Sequence, residues 1–205
     1  MVGRTRAEKM EETRAKLIGA GRKAFAEKGF AAASMDELTA EVGLTRGALY
    51  HNFGDKRGLM AAVVDQIDTT MALKAQAAGK KAGGGWEGLM AEGAAYIEMA
   101  LQPEVQRIVL LDGPAILGDP AQWPSQNRCL QSTIKTLRRL ASNGQIKPVD
   151  IEALARLLNG IALNAALWVA ASDDARTTLP KAIAAFECLA SGALNTVRNS
   201  EGNVS

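Results

Sequence analysis

The chain has 205 residues, of which 47% are apolar and 4% aromatic, and 24 Lys and Arg stand against 22 Asp and Glu for a net charge of +2. That length supports one domain or two small ones with a real core, and an Ala- and Leu-rich composition favours helices over a β-sandwich. A balance this close to neutral excludes a wholesale nucleic-acid coat, and Cys129 and Cys188 alone make neither a disulfide framework nor a zinc site.

Charge is nonetheless uneven: residues 1–57 hold 11 Lys and Arg against 8 Asp and Glu, and residues 58–205 hold 13 against 14. Residues 1–10 read as a mobile basic arm (Arg4, Arg6, Lys9) that either follows a minor groove or stays solvated. A helix is predicted over residues 11–28, with Leu17, Gly21, Ala24 and Phe25 on one face and Gly29 as its stop. Ser34 opens a second helix, where Glu37 three residues on predicts a capping box. Gly43 ends that helix with a sharp turn, Thr45 caps a third reaching residue 52, and Asp55 caps a fourth over residues 56–78. Two short helices across a tight turn, followed at once by another, offer a helix to the major groove of double-stranded DNA.

In that geometry Arg46, at the start of the third helix, reaches base edges, where its fork suits guanine; a phosphate contact is the competing reading. Gly47 lets the helix approach the groove floor and Ala48 meets a thymine methyl. Thr45 serves as cap and phosphate contact, Ser34 does likewise on the second helix, and Lys56 holds a phosphate beside the free N–H groups of the fourth. His51 is either a phosphate contact or a solvated side chain. Leu38, Val42, Leu44, Leu49 and Phe53 are assigned to the core.

Residues 79–85 read as a loop, followed by helices over 86–101, 104–117, 123–143, 150–171 and 175–197 and a polar tail over 199–205. Asp112, ahead of Gly113 and Pro114, reads as a helix end rather than a ligand for a cation. Leu154, Leu158, Ile161, Ala165 and Trp168 recur at helical spacing, as do Ile183, Phe186 and Ala190, and both stripes predict a homodimer interface. Trp86, Met90, Tyr96, Met99, Trp123, Asn127 and Trp168 supply walls and anchors for a pocket holding a largely apolar small molecule; for any single one of them ordinary core is the competing reading. Cys129 reads as an inert thiol rather than a redox sensor. Nothing has the spacing of a catalytic, phosphate-loop, cofactor or metal site, so no enzyme is predicted. No signal segment and no apolar run long enough for a bilayer are seen, which predicts a cytoplasmic protein without a membrane partner.

The run Gly43-Leu-Thr-Arg-Gly-Ala-Leu-Tyr-His-Asn-Phe-Gly-Asp-Lys56, with Phe25-Ala-Glu-Lys-Gly-Phe30 and Ser34-Met-Asp-Glu-Leu38, resembles the recognition-helix signature of the TetR family of bacterial transcriptional regulators. The resemblance covers about residues 12–60; beyond it only the architecture matches, although 110–118 and Trp123 look similar to the effector domains of some members. Thr39 stands where the family commonly has Ala, and His51 comes one position before the usual His, whose place Asn52 takes as a neutral phosphate donor. The resemblance implies that Tyr50 contacts a phosphate. It also implies an all-α fold of about nine helices, with a DNA-binding head (1–57) and a ligand-binding and dimerisation domain (58–198). The function implied is a homodimeric repressor released from a palindromic operator by a small-molecule effector. Two rivals are a ligand-independent DNA-binding protein or activator, and a small-molecule-binding bundle with a vestigial head.

Overall fold

A computed structural model describes residues 5–195. Among them run nine α-helices: α1 (Arg6–Ala32), α2 (Met35–Glu41), α3 (Arg46–Phe53), α4 (Lys56–Lys81), α5 (Gly85–Glu98), α6 (Gly113–Leu117), α7 (Pro124–Ser142), α8 (Ile151–Ala171) and α9 (Ala175–Ser191). A π-helical segment, Val105–Asp112, runs directly into α6. Arg4, Val197 and the tail lie outside the described residues.

Local chemistry accounts for most helix ends. The Ser34 hydroxyl accepts from Glu37 N–H at 3.4 Å, Thr45 from Ala48 N–H at 3.2 Å and Asp55 from Gly58 N–H at 2.7 Å. The capping box expected at Ser34 is only half made, because the Glu37 carboxylate turns away to Lys28 at 2.6 Å. A complete box forms instead at Thr5 and Glu8, with bonds of 2.7 and 3.2 Å. It starts α1 at Arg6, so Arg6 and Lys9 belong to a helix rather than to the expected mobile arm.

Gly29 ends the regular part of α1 as expected, with φ 77° and ψ 166°, a region essentially reserved for glycine. A Cβ there would fall 2.0 Å from the Arg107 guanidinium of the π segment. Around this point the head is fastened to the body. Arg22 pairs side-on with Glu104, Phe30 N–H donates to Asp112 Oδ2 at 3.0 Å, and Arg57 Nε donates to the Ile116 carbonyl at 3.0 Å. Asp112 closes the π-helical segment, a helix end as expected, and also ties it to the head. Pro114 explains why the expected helix over 104–117 is π-wound in its first half: lacking an N–H and crowding the carbonyl four residues back, it cannot continue a regular α register, and Gly113 N–H bonds to Ile108 O instead.

The core runs without a break from head to body along α4. Leu59 fills the space over Gly21 of α1, and Met60, Val63, Val64, Ile67 and Met71 are all buried. The expected loop at 79–85 is shorter than predicted, because Gly79, Lys80 and Lys81 stay helical. There α4 and α5 touch backbone to backbone, since a Cβ on Gly88 would lie 2.8 Å from the Gly79 carbonyl. At the far end α9 stops at Ser191, not 197. The chain then forms an antiparallel bridge, with Lys147 N–H donating to Ala193 O and Asn195 N–H to Gln145 O, both at 2.9 Å. Contrary to expectation, α8, with 21 residues, is long and apolar enough to cross a membrane by length and composition. Ala155, Leu158, Ala166 and Val169 commit its inner side to the core.

Two glycines of α1 should respond oppositely to alanine. Gly29→Ala is expected to lower the unfolding free energy in urea by about 1–3 kcal/mol, because its backbone region excludes a side chain. Gly19→Ala, where a Cβ meets nothing within 4 Å, is expected to raise it by about 0.5–1 kcal/mol.

Candidate nucleic-acid interface and effector cavity

Gly43, with φ 67°, turns the chain between α2 and α3, and Leu44 N–H closes the turn on Thr39 O at 2.9 Å. Thr39 is buried, and its hydroxyl donates within its own helix to Met35 O at 3.0 Å or Asp36 O at 3.1 Å, so this departure from the family pattern leaves no polar group unpaired. Leu49 of α3 is fully buried against the head, which turns Thr45, Arg46, Gly47, Tyr50 and His51 outwards together, with Ala48 half-buried at their edge. Space around Gly47 is open, the nearest atom to an added Cβ being Thr45 Oγ1 at 3.7 Å. Arg46 is held ready at the head of this face: Nη2 donates to Tyr50 Oη at 3.2 Å and Nη1 lies 3.4 Å from the Asp36 carboxylate. Both contacts are solvent-exposed and cost little to exchange for a base or phosphate.

Two expected phosphate donors are placed differently. Asn52 spends an amide hydrogen on Ala48 O of its own helix at 2.8 Å and is half-buried. Lys56 donates to Ala31 O at 3.2 Å and sits 4.7 Å above the Phe30 ring, which makes it a brace between α4 and the end of α1. Ser34 is half-buried, and its hydroxyl is occupied as the α2 cap.

The body contains a partly open cavity of about 80 Å³ between α4, α5, α7, α8 and α9. Of the expected pocket residues Met90 and Tyr96 line it. The others do not: Met99 is core, Trp86 packs at the edge of the core, and Asn127 and Trp168 face solvent. Trp123 is buried elsewhere, its ring seated over Gly113, with Nε1 lacking a protein acceptor. The cavity walls that sequence periodicity missed include Gln76 of α4, Glu92 of α5, and Gln126, Cys129 and Thr133 of α7. Behind Gln126 lies Asp68, 1% exposed, which accepts from Gln126 Nε2 at 3.0 and 3.2 Å. Burial pushes the Asp68 and Glu92 carboxyls up, and the Cys129 thiol to about 11, so the thiol is protonated and unreactive at neutral pH. Among the described residues no His, Cys, Asp and Glu group is placed to hold a metal ion.

The expected dimer stripe is out of phase. Leu158, Ala165, Phe186 and Ala190 are buried inside the protomer, and Leu158 and Phe186 face the cavity. Leu154, Ile161 and Ile183 lie at the boundary, and Trp168 is outside. The apolar side chains that α8 and α9 present to solvent are Leu157 at 66%, Trp168 at 50% and Leu189 at 64% exposure.

A helix-turn-helix head with a recognition face, joined through one long helix to a helical domain with an internal cavity, defines a DNA-binding regulator. Residues 17–63 match the profile of the bacterial regulatory proteins of the tetR family, and residues 86–193 that of the tetracyclin repressor-like C-terminal domain. The chain belongs to the TetR family of bacterial transcriptional regulators. A TetR-family transcriptional regulator from Pectobacterium atrosepticum, solved by crystallography, is 48% identical over 93% of this chain and 98% of its own, with a TM-score of 0.83. The Tn10 TetC protein of Escherichia coli is 27% identical over 75% of this chain and 78% of its own length. The regulator TtgR of Pseudomonas putida is 39% identical over 70 residues, about a third of either protein (34% and 33%).

The geometry separates reader from brace. Arg46→Ala should leave the melting temperature unchanged and Gly47→Ala should not lower it, while both weaken operator binding in a fluorescence-anisotropy titration. The Arg46 change should cost about 1–3 kcal/mol of discrimination between operator and scrambled DNA. Lys56→Ala should lower the melting temperature as well, through loss of the bond to Ala31, and weaken both DNAs alike.

Proposed function

We propose that the chain is a homodimeric repressor whose two heads bind a pseudo-palindromic operator and are released when a small molecule fills the cavity. The observation that carries this reading is α4. One uninterrupted helix starts at the head with Lys56 and supplies Ala72, Ala75 and Gln76 to the cavity wall. At 1.5 Å per residue those points are about 30 Å apart on a rigid rod. The cavity is about 80 Å³, roughly half the volume that houses benzene in an apolar protein interior, so a ring-sized effector spreads its walls. Spreading them tilts α4, and with it the head. A ligand that favours the spread form shifts the population away from the DNA-compatible one.

Dimerisation is assigned to the outward faces of α8 and α9, where Trp168 of the expected stripe is joined by Leu157 and Leu189. An apolar face of that kind, rimmed by polar residues, is what a second protomer covers. The chain's likeness to transcriptional regulators such as TtgR supports the same reading.

A gel shift with the DNA upstream of the chain's own coding region tests the assignment. A complex of two protomers per site is expected, with DNA lost when a metabolite extract is added and regained on dialysis. Absence of any complex would favour the vestigial-head bundle, and a complex no metabolite releases would favour ligand-independent binding. Leu157→Glu is expected to give folded monomers in light scattering and to weaken operator binding by about 100-fold or more, since one half-site is lost at a time. An unchanged dimer would place the interface elsewhere.

A further inference from the structure

We infer that the effector is an organic cation, a compact apolar body bearing one protonated nitrogen that pairs with Glu92. This rests on the cavity being the effector site.

Glu92 projects from α5 to the cavity lining and lies against Gly79 of α4, where a Cβ would fall 2.5 Å from its Oε1. Only the absence of a side chain on Gly79 leaves room for it. Among the described residues Glu92 accepts no hydrogen bond and makes no ion pair; the cation acting on it is the exposed Lys80, from a distance. No Lys, Arg or His lines the cavity. A second carboxyl stands behind the wall: Asp68 is buried there and accepts hydrogen bonds from the amide of Gln126.

A half-buried carboxylate without a partner is costly, which is why desolvation disfavours its ionised form. An ammonium group entering the cavity supplies the missing charge among largely apolar walls, where it is screened less than in bulk water. A neutral ligand leaves that cost standing, and an anion adds to it. Met90, Leu158 and Phe186 meanwhile offer an apolar surface for the rest of the molecule. Tyr96 adds a ring that a cation can approach, and burial pushes its hydroxyl up, so it stays neutral and brings no negative charge of its own.

The test compares three probes of near-equal size on the full-length dimer by calorimetry: benzylammonium, benzyl alcohol and benzoate. The expected order is benzylammonium tightest, about tenfold or more over benzyl alcohol, and benzoate weakest. Glu92→Gln keeps the shape and removes an unpaired charge, so its melting temperature should not fall. It should bring benzylammonium down to the affinity of benzyl alcohol and leave benzyl alcohol unchanged. Equal or tighter binding of benzyl alcohol or benzoate overturns the inference but leaves the cavity as effector site, and so does a benzylammonium preference that survives Glu92→Gln. If none of the three binds at millimolar concentration, the cavity reading fails and the inference with it.

Discussion

Everything in this protein hangs on α4 having its two ends in two different jobs while belonging to a single packed core. Leu59, at the head end, fills the space over Gly21, and Met71 and Ala75, at the body end, are buried beside the cavity. A helix this well packed cannot bend softly, because native interiors have no slack for it. It can only tilt as a unit or stay put. The recognition face on α3 is fixed to α4 by the short Asp55-capped turn, so the direction of α4 is also the direction in which Arg46 and Tyr50 point.

A second connection closes the loop mechanically. The end of α1 is tied to the π-wound segment by Arg22 with Glu104, Arg107 over Gly29, and Asp112 on the Phe30 amide. These ties are partly exposed and polar, so each is worth little alone. Their effect is geometric: the head is held at two points, by a packed apolar rod and by a set of exchangeable polar contacts. Such a pairing allows a tilt of the rod to be met by rearranging the ties instead of breaking the core. The π register at that place, forced by Pro114, leaves a wide and adaptable turn next to the contact.

The head was legible in the sequence because its design is local. Ser34, Thr45 and Asp55 cap the helices that follow them, and Gly29 and Gly43 occupy backbone regions other residues avoid, so each announces itself within three or four positions. The cavity was much less so. Met90 and Tyr96 were identified, but Glu92, Gln76 and Gln126 are ordinary polar helix residues until four other helices surround them. Trp123 reads as a pocket wall from size alone, and only Gly113 beneath its ring explains where it went. Which side of α8 faces outwards is hard to read for another reason. With Leu154, Leu157, Leu158, Ile161, Leu163, Leu167 and Trp168, α8 is apolar almost all round, so spacing alone does not say which side faces in. The Thr5–Glu8 box sits within a basic stretch that reads as a solvated arm, and the π segment shares its apolar pattern with an α-helix.

The central claim is that head and cavity wall move as one body. Amide hydrogen exchange on the dimer, with and without operator DNA, tests it without any effector. The account predicts that operator slows exchange not only across α2 and α3 but also in α4 around Ala72–Gln76 and in α5 around Leu89–Gly93, where the cavity is lined. Protection confined to residues 34–58, with the cavity wall exchanging as in the free protein, would contradict it.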